Sequence, residues 1–143
     1  MSEASSHGMQ VFDLNQLLTA SAGTTFSADA RYSSGVGNLH NIFINEDSAT
    51  AYLLGGTNSC SGGLHMVDIS NPLIPVQSGC YSGDGYTHDV QCVIYNGPDT
   101  QYVGNEICFA FNEDTVTIVS SMFKAHVHLN LLNYPSSHIV LFS

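Results

Sequence analysis

A short strand-like segment recurs along this sequence at a nearly constant interval, and this repeat restricts the fold more than any other feature does. The clearest copy lies within residues 62–75, where a short apolar strand ends at Asp68 and an Asn-Pro turn follows. Weaker copies surround Val11 and Val119, which lie 56 positions before and 52 positions after Val67. A repeat of short strands at such a period is typical of a β-propeller or a related array.

Between the turn-forming residues, apolar side chains either alternate with polar ones or form short runs. This pattern predicts short strands joined by tight turns, with a further helical turn at residues 15–18. The predicted strands cover residues 7–14, 26–32, 39–45, 49–54, 64–69, 75–81, 89–95, 102–111 and 115–119.

The order of these strands predicts an all-β protein that forms part of a β-propeller, with about two to two and a half four-stranded antiparallel blades. We expect the propeller part to span residues 1–120. Residues 7–33 are the end of one blade, 39–82 a full blade, and 87–120 a partial blade. The repeat is lost after Val119, so residues 121–143 are interpreted as a divergent tail.

The charge of the chain restricts its partners. Two basic residues face twelve acidic ones, which gives a formal net charge of −10. Nothing in the sequence could neutralise a row of phosphates, so nucleic-acid binding is excluded and an anionic membrane surface is disfavoured. A divalent cation, a glycan or a protein partner remains compatible with this charge.

The four cysteines allow two disulfides, and none of their spacings is the C-x-x-C of a zinc ribbon. We expect Cys60 to pair with Cys80 and Cys92 with Cys108, because each pair then falls inside one repeat. Such bonds require an oxidising compartment. The alternative is four buried free thiols.

Residues 1–7 carry neither the basic nor the apolar region of a signal peptide, and no run of about 18 apolar residues predicts a membrane span. These observations are compatible with two interpretations. The chain is a cytosolic protein with reduced cysteines, or it is a piece of a longer secreted chain. We expect the second.

Several segments together are similar to one known repeat family. They are residues 6–14, 40–42, 62–75, 84–89, 91–100, 106–109 and 112–115. These segments resemble the choice-of-anchor B family, which contains LVIVD-type repeats, and the resemblance covers roughly residues 2–119.

The resemblance implies an extracellular or surface-attached β-propeller that is considerably longer than this chain. It implies no particular reaction and supplies no catalytic residues. The sequence departs from the family pattern at Ser120 and Ser121, which suggests a frameshift or a divergent end, and hence a truncated product.

His40 and His88 occupy the same position in successive repeats, 48 residues apart, at the start of the expected inner strand of each blade. Imidazoles that converge around a propeller channel could bind a divalent transition metal. The alternative is that each histidine caps its strand or bonds to a neighbouring blade. The pair His126 and His128 in the tail is a weaker metal candidate.

The acidic residues are interpreted as turn formers. They lie in turns without the spacing of a known calcium loop, and Asp13 and Asp68 fall at equivalent strand ends in different blades. A pair of catalytic carboxylates is therefore not expected.

The function expected from the sequence is that of a non-enzymatic binding or scaffold module with a protein or glycan ligand and no cofactor. One alternative is a metal-binding protein or metal-dependent enzyme that uses His40 and His88. Another is a non-functional truncated product. Open blade edges predict self-association.

Overall fold

The computed structural model describes residues 7–120, which form short strands and two 3₁₀ helices. The helices are Leu14–Thr19 and Cys60–Gly62. The strands are β1 (Met9–Val11), β2 (Ala30–Tyr32), β3 (Asn41–Asn45), β4 (Thr50–Leu54), β5 (Leu64–Asp68), β6 (Val76–Tyr81), β7 (Thr87–Ile94), β8 (Glu106–Asn112) and β9 (Val116–Ser120).

The strands form three antiparallel sheets, each made from strands that are consecutive in the chain. The first sheet contains β1 and β2, the second has the order β3-β4-β5-β6, and the third has the order β7-β8-β9. The predicted all-β class with antiparallel sheets is confirmed.

Several strands are shorter than the sequence predicts, and for two of them the structure shows a local cause. β1 ends at Val11 because the Asp13 carboxylate caps the helix Leu14–Thr19, accepting a hydrogen bond from the Asn15 N–H at 2.9 Å. β8 begins at Glu106 because the preceding residues form consecutive turns, closed by backbone bonds from Tyr102 to Asp99 and from Asn105 to Tyr102.

The central strands β4 and β5 of the second sheet are buried on both faces, which explains why β4 is an unbroken apolar run. Ala51, Tyr52, Leu53 and Leu54 are all fully buried. One face packs against the first sheet in a cluster that contains Met9, Tyr32, Val36, Leu39, Ala51, Leu53 and Val67. The other face packs against the third sheet in a cluster of Tyr52, Leu54, Leu64, Met66, Tyr81, Val90, Cys92, Cys108, Ala110 and Val119.

The contact between the second and third sheets brings their first strands, β3 and β7, together. A buried carboxylate joins the two sheets at the C-terminal ends of β3 and β7. Glu106 of β8 accepts a hydrogen bond from the Asn45 side-chain amide and another from the Ser48 hydroxyl at 2.8 Å. These two side-chain bonds link β8 of the third sheet to the β3–β4 turn of the second sheet.

Both expected disulfides are present, and no cysteine is free. Cys60–Cys80 ties the second 3₁₀ helix to β6, and Cys92–Cys108 joins opposite residues of β7 and β8. The two bonds indicate that the protein forms in an oxidising environment.

The turn between β3 and β4 contains one residue in an unfavourable backbone conformation. Ala49 has a φ of 51°, in the left-handed region that a four-residue hairpin loop commonly requires of its last residue. For a residue with a Cβ atom this conformation costs free energy, whereas glycine adopts it readily.

We therefore predict that Ala49→Gly raises the free energy of unfolding by about 0.5–1 kcal/mol. The substitution relieves backbone strain in the folded state, and the greater conformational entropy of glycine in the unfolded chain offsets part of that gain. Urea unfolding followed by circular dichroism, with both disulfides intact, measures the change. The matched control is Ala51→Gly in the buried strand β4, which should destabilise the protein. A lower unfolding midpoint for Ala49→Gly would contradict the prediction.

Candidate functional site at the start of strands β3 and β7

The two histidines that the repeat singles out lie side by side in the structure. His40 directly precedes β3 and donates its backbone N–H to the Leu54 carbonyl at 2.9 Å, while His88 is the second residue of β7. The Nδ1 atom of His88 lies 3.3 Å from the Nε2 atom of His40, and the ring centroids are 4.8 Å apart. The packing of β3 beside β7 thus brings together two imidazoles that are 48 residues apart in the chain.

Tyr86 completes a cluster of three rings, and we call His40, Tyr86 and His88 the ring cluster. The Tyr86 centroid lies 4.8 Å from that of His88 and 5.9 Å from that of His40, with the rings tilted steeply against one another. The nearby Gly55 has a φ of +64°, and a Cβ atom there would lie 2.6 Å from the His40 Cβ and 2.7 Å from the Tyr86 hydroxyl oxygen. Only glycine allows this close approach.

Side-chain hydrogen bonds fix the chain that leads into β7. The Asp84 carboxylate accepts bonds from the Asn112 amide and the Thr115 hydroxyl, both at 3.0 Å, and a further bond from the Thr117 hydroxyl. Thr87 also donates its hydroxyl to Asn112 at 2.8 Å. The segment that carries Tyr86 and His88 is therefore anchored to the hairpin of β8 and β9.

The ring cluster is accessible from solvent. His88 is exposed, and His40 and Tyr86 are half-buried. Beside the histidines, the Asn41 amide donates to the Asp89 carboxylate at 3.3 Å, which adds a second side-chain link between β3 and β7. The ring cluster is therefore a surface feature held on a fixed framework.

A second group of metal-ligand residues has no capacity to bind a metal in the oxidised protein. Within residues 7–120, Cys92, Glu106 and Cys108 are the one set of three or more such side chains that lie close enough together. Both sulfurs belong to the disulfide, and the Glu106 carboxylate accepts bonds from Asn45 and Ser48. The candidate pair His126 and His128 lies outside the described residues.

Asp68 and Asp99 bond to backbone N–H groups within turns, whereas Asp84 bonds to side chains of the β8–β9 hairpin and Asp89 lies within β7. Asp68 accepts a hydrogen bond from the Ser70 N–H at 2.8 Å, and this bond lowers the pKa of the Asp68 carboxyl below its usual value. Asp99 accepts a similar bond from the Gln101 N–H at 3.1 Å. Bonds of this kind stabilise turns and need no ligand.

A buried polar group between the first and second sheets was not predicted from the sequence. The Tyr32 hydroxyl lies 2.7 Å from the His65 Nε2 atom, and the Ser59 hydroxyl contacts Nδ1 of the same ring. His65 is only 2% exposed, and its burial lowers the pKa of the imidazole. The one signal in the sequence is a histidine inside the apolar strand β5.

The neutral His65 ring is well accommodated, because either tautomer can bond to both hydroxyls, each of which donates or accepts. The group joins β2 of the first sheet to β5 of the second. Ser59 and Tyr32 are buried as well. The arrangement resembles a serine–histidine pair, but a substrate could not reach it in this conformation.

Comparisons with protein-family models, with curated proteins and with solved structures found no match to this chain. Among the described residues, no helix has the length and apolar character that a membrane-spanning helix needs.

The buried histidine predicts a pH dependence of stability. Because the pKa of His65 is lower in the folded than in the unfolded state, the unfolded chain binds more protons as the pH falls below about 6.5. The contribution of His65 to the free energy of unfolding is therefore fully present above that pH. Below it, this contribution decreases by at most about 1.4 kcal/mol per pH unit.

Urea unfolding at pH 7.5 and pH 5.5 measures this effect. We expect His65→Gln to lose less stability between the two pH values than the unsubstituted protein loses. Tyr32→Phe is the control, since it removes one hydroxyl contact and keeps the titrating imidazole. An unchanged pH dependence in His65→Gln would show that His65 does not cause it.

Proposed function

We propose that the chain is a non-enzymatic binding or scaffold module of a secreted or cell-surface protein, built as part of a β-propeller of the choice-of-anchor B type. One observation carries the proposal: the second sheet is buried between its two neighbours, and its first strand, β3, lies beside the first strand of the third sheet, β7. Consecutive propeller blades stack in this way.

The position of the ring cluster supports a binding role. His40 and His88 stand one repeat apart at the same ends of β3 and β7, as equivalent residues of adjacent blades would. Propellers commonly present such strand ends and the adjoining loops to their ligands, and this part of the argument is an analogy from the fold. The two disulfides support a secreted or surface location.

The ligand would be a protein or a neutral glycan. Twelve acidic residues against two basic ones oppose a phosphate-rich partner. A half-buried tyrosine beside two imidazoles offers apolar ring surface together with hydrogen-bonding groups, as aromatic residues do in many interfaces.

The serine–histidine contact does not favour an enzyme. Ser59, His65 and Tyr32 satisfy one another between two sheets, away from solvent. A general base must reach the substrate or a water molecule next to it. We assign these three residues to stability.

The non-enzymatic assignment predicts that the oxidised protein hydrolyses p-nitrophenyl acetate and p-nitrophenyl glycosides no faster than its Ser59→Ala variant does. Absorbance at the nitrophenolate band follows the reaction. Circular dichroism first establishes that the variant is folded. Turnover that the unsubstituted protein shows and a folded Ser59→Ala variant lacks would contradict the proposal.

The scaffold role also includes self-association through the open edge of the second sheet. Among the described strands, β6 pairs only with β5. The exposed apolar side chains Leu73, Ile74 and Val76 lie just before and at the start of this edge strand. An exposed apolar edge of this kind can pair with the same edge of a second copy.

We predict that the protein dimerises with rising concentration and that Val76→Lys shifts the equilibrium towards the monomer, because an edge lysine opposes strand pairing. Sedimentation velocity over a concentration series measures the shift. Leu18→Lys, on the exposed first 3₁₀ helix, is the matched control and should leave association unchanged. Equal association of both variants would place the contact elsewhere.

A further inference from the structure

We propose that His40 and His88 form a binding site for a divalent transition metal of zinc type, with both imidazoles as ligands and the other coordination positions open. This inference rests on the proposed binding role and adds a metal ion through which the ring cluster would contact its protein or glycan ligand.

The spacing of the two nitrogens carries the inference. Each nitrogen of a histidine ligand lies about 2.0–2.1 Å from a zinc ion, so two of them on one tetrahedral ion stand about 3.3–3.4 Å apart. The Nδ1 atom of His88 and the Nε2 atom of His40 are separated by 3.3 Å. Their spacing therefore requires no movement of either strand to bring both nitrogens to one ion.

The framework around the histidines holds this spacing. His40 is fixed by the bond from its N–H to Leu54 and by the close approach of Gly55. On the other strand, the Asp84 bonds anchor the segment that leads to His88, and Asn41 is joined to Asp89. Ligands on rigid strands lose little freedom when they bind a metal.

The chemistry of the ligands favours a metal of borderline softness. Imidazole nitrogens suit zinc, copper and nickel, whereas calcium and magnesium prefer sets of oxygen ligands. Within residues 7–120, no third histidine, cysteine or carboxylate joins the pair closely enough to complete the shell. Water or an atom of a bound ligand would then occupy the remaining positions, so the metal would be open to a partner.

The surroundings help a cation to bind. The net charge of −10 produces a field that attracts metal ions, and the exposure of His88 gives them access to the site.

Isothermal titration with zinc chloride at pH 7.5, on untagged, oxidised protein, tests the site. We expect one zinc ion per chain, with an affinity that falls at least tenfold in His88→Gln and in His40→Gln. Because His88 is exposed, His88→Gln should keep the fold, which thermal unfolding with EDTA present checks. Zinc at a hundredfold its dissociation constant should also raise the unfolding midpoint of the unsubstituted protein and leave that of His88→Gln unchanged.

Two matched controls address the other histidines. The bound zinc ion should be retained in His7→Gln. It should also be retained in the double variant His126→Gln with His128→Gln. Zinc binding that survives in His88→Gln, or that the double change abolishes, would overturn the proposal, as would the absence of binding by the unsubstituted protein. The His40–His88 contact would then be a hydrogen bond between two rings. Those outcomes do not affect the ester and glycoside assays, which test the proposed non-enzymatic role independently.

Discussion

The burial of the second sheet between its two neighbours is the constraint on which the rest of the structure depends. A strand such as β4, apolar on both faces, cannot face water on either side, so it requires a cover from each neighbour. The first sheet provides one cover and the third sheet the other. No sheet can bury its apolar faces alone, and the stacking of the three sheets creates the two cores.

The candidate site is a consequence of that stacking. Packing the third sheet onto the second places β7 beside β3, with Glu106 bonded to Asn45 and Ser48 at one end and the ring cluster at the other. The bonds to Glu106 at one end, and the bond from Asn41 to Asp89 near the other, link the second sheet to the third. A change that loosened the sheets would therefore separate the imidazoles as well.

The sequence contained most of the local structure, since local structure depends on neighbouring residues. Alternating apolar side chains and turn residues located all nine strands, and the repeat identified the cysteine pairs. The errors lay at strand ends, where the Asp13 cap and the turns before Glu106 compete with extended backbone. The repeat also marked His40 and His88 as equivalent, which placed two of the three residues of the ring cluster.

By itself, then, the sequence determined the strands, the turns and the class of fold, because each follows from periodicity and from the conformational preferences of a few adjacent residues. Only the tertiary structure decided which groups meet across sheets. The 3.3 Å approach of His40 to His88, the enclosure of His65 by Ser59 and Tyr32, and the bonds to Glu106 each join residues from different parts of the chain. These contacts arise from how the sheets pack against one another, and no local pattern encodes such a distance.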